Sequence, residues 1–99
     1  MIIVTGSAVV LPDRLDEALA VGIAHSVRSR SEPGCLDHNC HVDAEDENRI
    51  VFVEYWADMA ALQAHFTVPE SSAFVRQMTA LAVAPPKIQL FQAQEIPMG

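Results

Sequence analysis

The sequence predicts a single α+β domain in which four strands and two helical regions follow the order β-α-β-β-α-β. Three observations lead to this prediction: runs rich in β-branched residues, apolar residues at helical spacing between them, and a chain of 99 residues without a linker or an internal repeat. Residues 1–99 are therefore expected to form one ferredoxin-like plait, with an antiparallel four-stranded sheet and both helical regions on one face.

The first part of the chain predicts a strand followed by a helix. Met1–Val10 is rich in isoleucine and valine on both faces, which is typical of a central strand. After Pro12, Asp13 can cap a helix that ends near Arg30. An apolar residue recurs at every fourth position of this helix, which predicts one inward stripe. The stripe consists of Leu15, Leu19, Ile23 and Val27.

Two strands and a hairpin are predicted next. Cys35–Asp43 alternates, and its expected inward set is Leu36, His38, Cys40 and Val42. The acidic segment Asp43–Asn48 is expected to form the hairpin loop, and Arg49–Trp56 the next strand. Strict alternation would place Cys35 and Cys40 on opposite faces, which predicts free thiols. The same alternation argues against a zinc site built from these cysteines with His38 and His41.

The second helical region is predicted in two segments. Asp58 is the expected N-cap of the first, in which Met59, Leu62 and Phe66 share a face and His65 lies at its flank. Pro69 begins the second segment, and Pro85-Pro86 ends it before a last strand at Ile88–Gln94. The expected inward residues of the second segment are Phe74, Val75, Met78, Leu81 and Ala82.

Charge and hydropathy exclude two classes of partner. Thirteen acidic and six basic residues give a net charge of −7, and no cluster of lysine and arginine could bind a nucleic acid. No apolar stretch is long enough for a membrane span and no signal sequence is evident, which predicts a cytoplasmic protein. The 51% hydrophobic share is high for so small a domain and favours an interface, a pocket or both. A homodimer that pairs two open sheet faces would cover the apolar side of the sheet.

Several side chains could carry chemistry. His65 could accept a proton from a phenol or a carbon acid near neutral pH, although a hydrogen-bonded structural role at a helix end is the commoner explanation for such a residue. Only one of Tyr55 and Trp56 can face the helices. The other aromatic and apolar side chains that could contact a substrate are most simply interpreted as core residues. They would line a pocket only if the space between the sheet and the helices is incompletely filled. Glu54 is expected to pair with Arg49 or Lys87 of a partner chain.

Three motifs in order resemble the antibiotic biosynthesis monooxygenase family. They are the turn Glu32-Pro33-Gly34-Cys35, the strand end Glu54-Tyr55-Trp56, and Ala61-Leu62-Gln63-Ala64-His65 in the helix. The resemblance extends from Val4 to Phe91. It implies a dimeric α+β barrel that oxidises a small aromatic phenol or quinol, or a polyketide-type substrate, with O2 and without a metal or organic cofactor.

The resemblance also implies roles for individual residues. His65 would be the base or the anion stabiliser. The substrate would contact Trp56, Phe52, Leu62, Phe66, Phe74, Met78 and Ser7. The residues on which a haem-degrading branch of the family depends are absent, with Ser7 and His65 at two of their places. An isomerase, or a non-catalytic dimeric module that binds a small ligand, is the alternative.

Overall fold

The computed structural model describes residues 1–99 and has the predicted order of elements, with the second helical region divided in two. The strands are β1 (Ile2–Val9), β2 (Cys35–Asp43), β3 (Asp46–Trp56) and β4 (Lys87–Gln92), and the helices are α1 (Leu15–Ser29), α2 (Met59–Thr67) and α3 (Pro69–Leu81). All pairs are antiparallel, in the order β2-β3-β1-β4. The predicted ferredoxin-like α+β fold is confirmed. No helix is long and apolar enough to cross a membrane.

The hydrophobic core lies between the sheet and the helices in two clusters. The larger cluster consists of Ala8, Val10, Ala18, Ile50, Phe52, Met78 and Leu81. The smaller cluster consists of Ile2, Val4, Trp56 and Leu62. Every residue of the edge strand β4 is exposed, and the strand residues of the two core clusters come from β1 and β3. Trp56 is buried against Leu62 and so faces the helices. By alternation, Tyr55 faces the open side of the sheet.

Helix α1 is turned differently from the prediction. Ile23 and Val27 are more than half exposed, whereas the buried face carries Ala18, Gly22, His25, Ser26 and Ser29. The helix packs so closely on the sheet that a Cβ at Gly22 would lie 2.9 Å from Cys40 Sγ and 3.0 Å from the Phe52 ring. Small and polar residues therefore face inward. The predicted cap is also wrong, since Asp13 lies in the preceding turn with φ 69° and Arg14 is the N-cap.

A β-bulge changes the faces of β2. Cys35 pairs with Trp56 but Asp37 pairs with Tyr55, so Leu36 is an extra residue without a partner. The bulge brings Cys35 to the helix side with His38 and Cys40, and it leaves Leu36 exposed. The prediction that the two cysteines lie on opposite faces is therefore wrong. Both thiols are free, as expected.

The remaining boundaries differ in detail from the predictions. The acidic hairpin is shorter than expected, because β3 begins at Asp46 and only residues 44–45 form the turn. Asp58 caps α2 as predicted, accepting a hydrogen bond from the Ala61 amide at 2.9 Å. On α2 the buried pair is Leu62 and His65, which lie one turn apart. Met59 and Phe66, expected inside, are exposed.

Candidate active site

Strand β3 presents a carboxylate to the helices. Its alternation directs Phe52, Glu54 and Trp56 toward the core, and all three are buried. The Trp56 indole Nε1 donates a hydrogen bond of 2.9 Å to Glu54 Oε1. Glu54 thus has its partners within its own chain, on the helix side, whereas the sequence suggested Arg49 or Lys87 of a partner chain.

Three histidines from three elements meet beside Glu54. His25 comes from α1, His38 from β2 and His65 from α2, and all are buried. Their ring centroids are 5.0 Å apart for His25 and His38, 5.3 Å for His25 and His65, and 5.8 Å for His38 and His65. We call these three residues the histidine cluster. His65 is therefore one of three neighbouring titratable side chains and does not stand alone.

Each Nδ1 atom of the histidine cluster has a polar partner. His65 Nδ1 lies 2.9 Å from Glu32 Oε1, and His38 Nδ1 lies 2.8 Å from Ser26 Oγ. Arg28 Nη2 lies 3.0 Å from His25 Nδ1. Because a guanidinium only donates, His25 Nδ1 accepts, and the proton of neutral His25 is on Nε2. Because a carboxylate accepts, His65 donates from Nδ1 and its Nε2 keeps a lone pair.

The charges around the histidine cluster are balanced locally. Arg28 forms an ion pair of 2.7 Å with Glu32 and also donates to Ser71 Oγ at 3.0 Å. The pKa of His25 is lowered from 6.5 to about 3, chiefly by burial and in addition by the neighbouring His38, His65 and Arg28. His25 is therefore neutral throughout the physiological range.

Glu54 is ionised in spite of its burial. Removal from water alone would raise its pKa, but His38 and the Trp56 indole outweigh this effect, and the pKa lies below its usual value. His38 Nε2 lies 3.3 Å from Glu54 Oε1. The approach lacks hydrogen-bond geometry, so this buried nitrogen has no partner. The carboxylate and the imidazole form a close pair that a proton on Nε2 would complete.

The histidine cluster is also the place where a metal ion would be sought. One ligating atom from each of the three histidines lies within 4.8 Å of the others. His25, however, holds its proton on Nε2 because Arg28 occupies Nδ1. That nitrogen has no lone pair to offer, and the cluster falls short of the three ligands that a catalytic zinc ion takes. Cys40 and Cys35 share this side of the sheet but are not members of the group.

A cavity of about 180 Å³ opens between the sheet and α3, next to Glu54. Its walls are formed by the middle of β1, by β3, by α3 and by the start of β4. The lining residues are Gly6, Ser7, Ala8, Phe52, Glu54, Phe74, Val75, Met78, Pro86, Lys87 and Ile88. The His25 ring stacks on the Phe74 ring, with 3.8 Å between the ring centroids and an angle of 2° between the ring planes. The cavity and the histidine cluster therefore share a wall.

The predicted site residues lie in three places. Ser7, Phe52, Phe74 and Met78 border the cavity. Trp56 and Leu62 are buried in the smaller core cluster, where the Trp56 ring lies 4.6 Å from that of His65, and Phe66 is half exposed on α2. His65 is not among the residues lining the cavity; Glu54 and His38 lie between the two.

Sequence reasoning missed His25 and gave Glu32 no chemical role. His25 lies on the small-residue face of α1, away from Ile23 and Val27 of the stripe that was expected to face inward. The recurrence of Ala18, Gly22, Ser26 and Ser29 at helical spacing was the available signal, since it marks a face that packs closely. Glu32 was visible only as part of a turn motif. Its role depends on the approach of His65 from a distant helix.

Comparisons with known proteins agree on the family. Residues 1–77 match the antibiotic biosynthesis monooxygenase family. An uncharacterized protein of Synechocystis sp. is 34% identical over 94 residues, which cover 95% of this chain but 64% of that protein. The chain thus spans less than two thirds of this relative's length.

Solved structures share the fold over nearly the whole chain. A crystal structure of an antibiotic biosynthesis monooxygenase is 27% identical, with a TM-score of 0.87 over 96% of this chain and 100% of the other. PA3566 from Pseudomonas aeruginosa is 26% identical, with a TM-score of 0.84 over 95% and 94% of the two chains. On its sequence match and its fold, the chain belongs to the antibiotic biosynthesis monooxygenase family.

Proposed function

We propose that the protein is a monooxygenase that oxidises a small aromatic phenol or quinol with O2 and needs no metal or organic cofactor. The observation that carries this proposal is the cavity beside Glu54, which is walled by Phe52, Phe74 and Met78 and backed by buried imidazoles. Flat apolar walls suit a ring, and a group that takes up protons suits a phenol. A polyketide-type substrate with an acidic ring position would meet the same requirements.

The volume of the cavity favours a small substrate. An apolar cavity of about 150 Å³ holds benzene in a well-studied engineered protein. At about 180 Å³, this cavity accommodates a single substituted ring. Lys87 at its wall supplies a positive charge that would stabilise a phenolate oxygen.

The proposed reaction requires only the substrate and dioxygen. The bound phenol loses its proton, the electron-rich anion transfers one electron to O2, and the two radicals combine at a ring carbon. One oxygen atom remains on the ring and the other leaves as water, so a quinol becomes a hydroxyquinone and supplies all the electrons. The protein contributes orientation, a cavity with little water and a proton acceptor.

His65 is proposed as the base or the stabiliser of the anion. The geometry that supports this role is the hydrogen bond from its Nδ1 to Glu32, which leaves Nε2 as the free acceptor. A carboxylate behind an imidazole holds the tautomer and stabilises the imidazolium, as in other general-base dyads. Ser71 Oγ, at 3.4 Å, is a second neighbour of the same nitrogen.

Oxygen uptake tests the proposal. With a panel of substituted hydroquinones in air, we expect the wild-type protein to consume O2, and His65→Ala to lose about 100-fold or more of the rate, which is the size of a general-base contribution. His41→Ala is the matched control, since His41 is exposed and lies outside the cluster. Uptake that survives His65→Ala would remove the role of His65. Conversion without oxygen consumption would identify an isomerase, and binding without conversion a ligand-binding module.

A homodimer in the cytoplasm is part of the proposal. The open face of the sheet carries apolar side chains that no helix covers, among them Val51, Val53 and the exposed Phe91. Two such faces would bury each other. We expect sedimentation equilibrium to give twice the mass of one chain, which is 10.8 kDa. A mass of one chain at micromolar concentration would contradict this arrangement.

A further inference from the structure

The cavity contains two ionisable side chains, and only one of them can accept a proton at neutral pH. These are Glu54 and Lys87. Lysine is a cation under these conditions, whereas Glu54 is ionised because its pKa lies below the usual value. A phenol in the cavity would therefore meet the carboxylate of Glu54 before any imidazole.

Behind Glu54 lies an imidazole nitrogen without a partner. His38 is fully buried, its Nε2 makes no hydrogen bond, and the nearest carboxylate oxygen, Glu54 Oε1, is 3.3 Å away. Buried polar atoms are nearly always paired, and an exception in a native structure calls for an explanation. When His38 donates from Nδ1 to Ser26 Oγ at 2.8 Å, Nε2 keeps a lone pair, and a site that takes up a proton only during turnover accounts for it.

The path continues from His38 to His65. One nitrogen of each histidine lies within 4.8 Å of the others, a span that a small ring rotation or one bridging water closes. His25, the third member of the histidine cluster, cannot carry the proton, because Arg28 occupies its Nδ1 and it remains neutral. His65 can hold it, because Glu32 stabilises the imidazolium.

We propose that Glu54 is the catalytic residue that takes the proton from a bound phenol, and that His38 passes this proton to the His65–Glu32 pair. The inference rests on the proposed function, since it assigns the proton path of that reaction. The O–H bond of the phenol breaks and a bond to a Glu54 oxygen forms. The proton then moves to His38 Nε2 and on to His65 Nε2. The substrate remains as phenolate and His65 becomes an imidazolium, with no electron transferred.

Other charged groups around Glu54 do not offer a competing acceptor. His38 faces it from β2, the histidine cluster adds His25 from α1 and His65 from α2, and β4 contributes Lys87. The cavity residues of α3 are Phe74, Val75 and Met78, which carry no charge. Cys35 is also close enough to Glu54 and Glu32 to feel both carboxylates, but burial, with their help, raises its pKa to about 11, so it is a neutral thiol that accepts no proton at neutral pH. The route through His38 therefore remains the one that can carry a proton from Glu54 to the Glu32–His65 pair.

A chromogenic phenol tests the path without any oxidation. We would add 4-nitrophenol to the wild-type protein under nitrogen, at a pH where the free probe is neutral, and follow the phenolate absorbance while a pH-stat measures released protons. We expect the bound probe to be phenolate with no proton released, because the protein takes the proton up. A phenolate band with one proton released per bound probe, or no phenolate band, would overturn the proposal.

Variants then locate the acceptor. In Glu54→Gln and in His38→Gln we expect at least a tenfold loss of the phenolate fraction of the bound probe and a higher apparent pKa for it. Glu47→Gln and His41→Gln, both at exposed positions, should behave like the wild-type protein. A wild-type phenolate signal in Glu54→Gln would overturn the role of Glu54. Should a variant fail to fold, the proton count on the wild-type protein still decides whether the protein keeps the phenolic proton, and release of that proton would overturn the path.

The two proposals fail separately. A protein that forms phenolate without releasing a proton, yet consumes no O2 with any hydroquinone, would have the proton path but not the oxygenase activity. A protein that consumes O2 but binds 4-nitrophenol in the neutral form would be an oxygenase without this path.

Discussion

Replacing Trp56 with alanine is expected to lower the free energy of unfolding by about 3–5 kcal/mol, which is the usual cost of truncating a large aromatic residue in a core. Trp56 is completely buried and packs with Ile2, Val4 and Leu62 in the smaller core cluster. The change would also remove the indole donor of Glu54. Since native domains are stable by about 5–15 kcal/mol, much of the total would be lost. Chemical denaturation at a fixed protein concentration measures the change.

A second variant of Trp56 separates packing from hydrogen bonding, and a variant of Phe66 is its control. Trp56→Phe keeps most of the apolar contact but removes the Nε1 donor, so it should cost about 1–3 kcal/mol for the buried carboxylate that loses a partner. Phe66→Ala on α2 is the matched control, because Phe66 is 45% exposed, and its cost should be well below that of Trp56→Ala. Equal costs for Phe66→Ala and Trp56→Ala would show that Trp56 does not anchor the core.

Acid is expected to destabilise the protein through His25. Its folded pKa of about 3 lies below the ordinary value of 6.5, so the unfolded chain binds more protons between these two pH values. Stability therefore rises with pH in this window and is lost as the pH falls through it. Between pH 6.5 and pH 4.5 the loss is about 2 kcal/mol, because the slope grows from half of its full value to nearly all of it, and the full value is roughly 1.4 kcal/mol for each pH unit. Below that, protonation of Glu54, whose pKa is also lowered, adds a loss of the same sign.

His25→Gln isolates this contribution, since glutamine does not titrate and its oxygen can still accept from Arg28. We expect the free energy of unfolding of the variant to depend less on pH between 6.5 and 4.5 than that of the wild-type protein. His41→Gln, at an exposed position of β2, should leave the dependence unchanged. Identical slopes for His25→Gln and the wild-type protein would show that His25 is protonated in the folded state.

The order of elements was predictable because its signals are local. β-branched runs, an aspartate cap at Asp58, and prolines at Pro69 and Pro85 mark where strands and helices begin and end. The face that each element turns inward was harder to predict. On α1 the large residues Ile23 and Val27 point outward, because the sheet approaches Gly22 too closely for a larger side chain. On β2 one inserted residue, Leu36, shifts the alternation.

The candidate site shows the same difference between features with a local sequence signal and features set by tertiary packing. The sequence drew attention to His65, to the aromatic residues of β3 and α3, and to the family, because each of these depends on motifs a few residues long. The pairing of His65 with Glu32, and the meeting of His25, His38 and Glu54, depend on contacts between side chains far apart in the chain.

From its sequence alone, the protein could be assigned an α+β plait, a family and one candidate histidine, since hydrophobic period and short motifs are properties of neighbouring residues. Only the tertiary structure decided that this histidine shares a buried cluster with two others, and that a carboxylate connects the cluster to the cavity. The reason is physical: close packing of α1 on a bulged sheet sets which side chains meet, and the period of the large apolar residues reports neither the close packing nor the bulge.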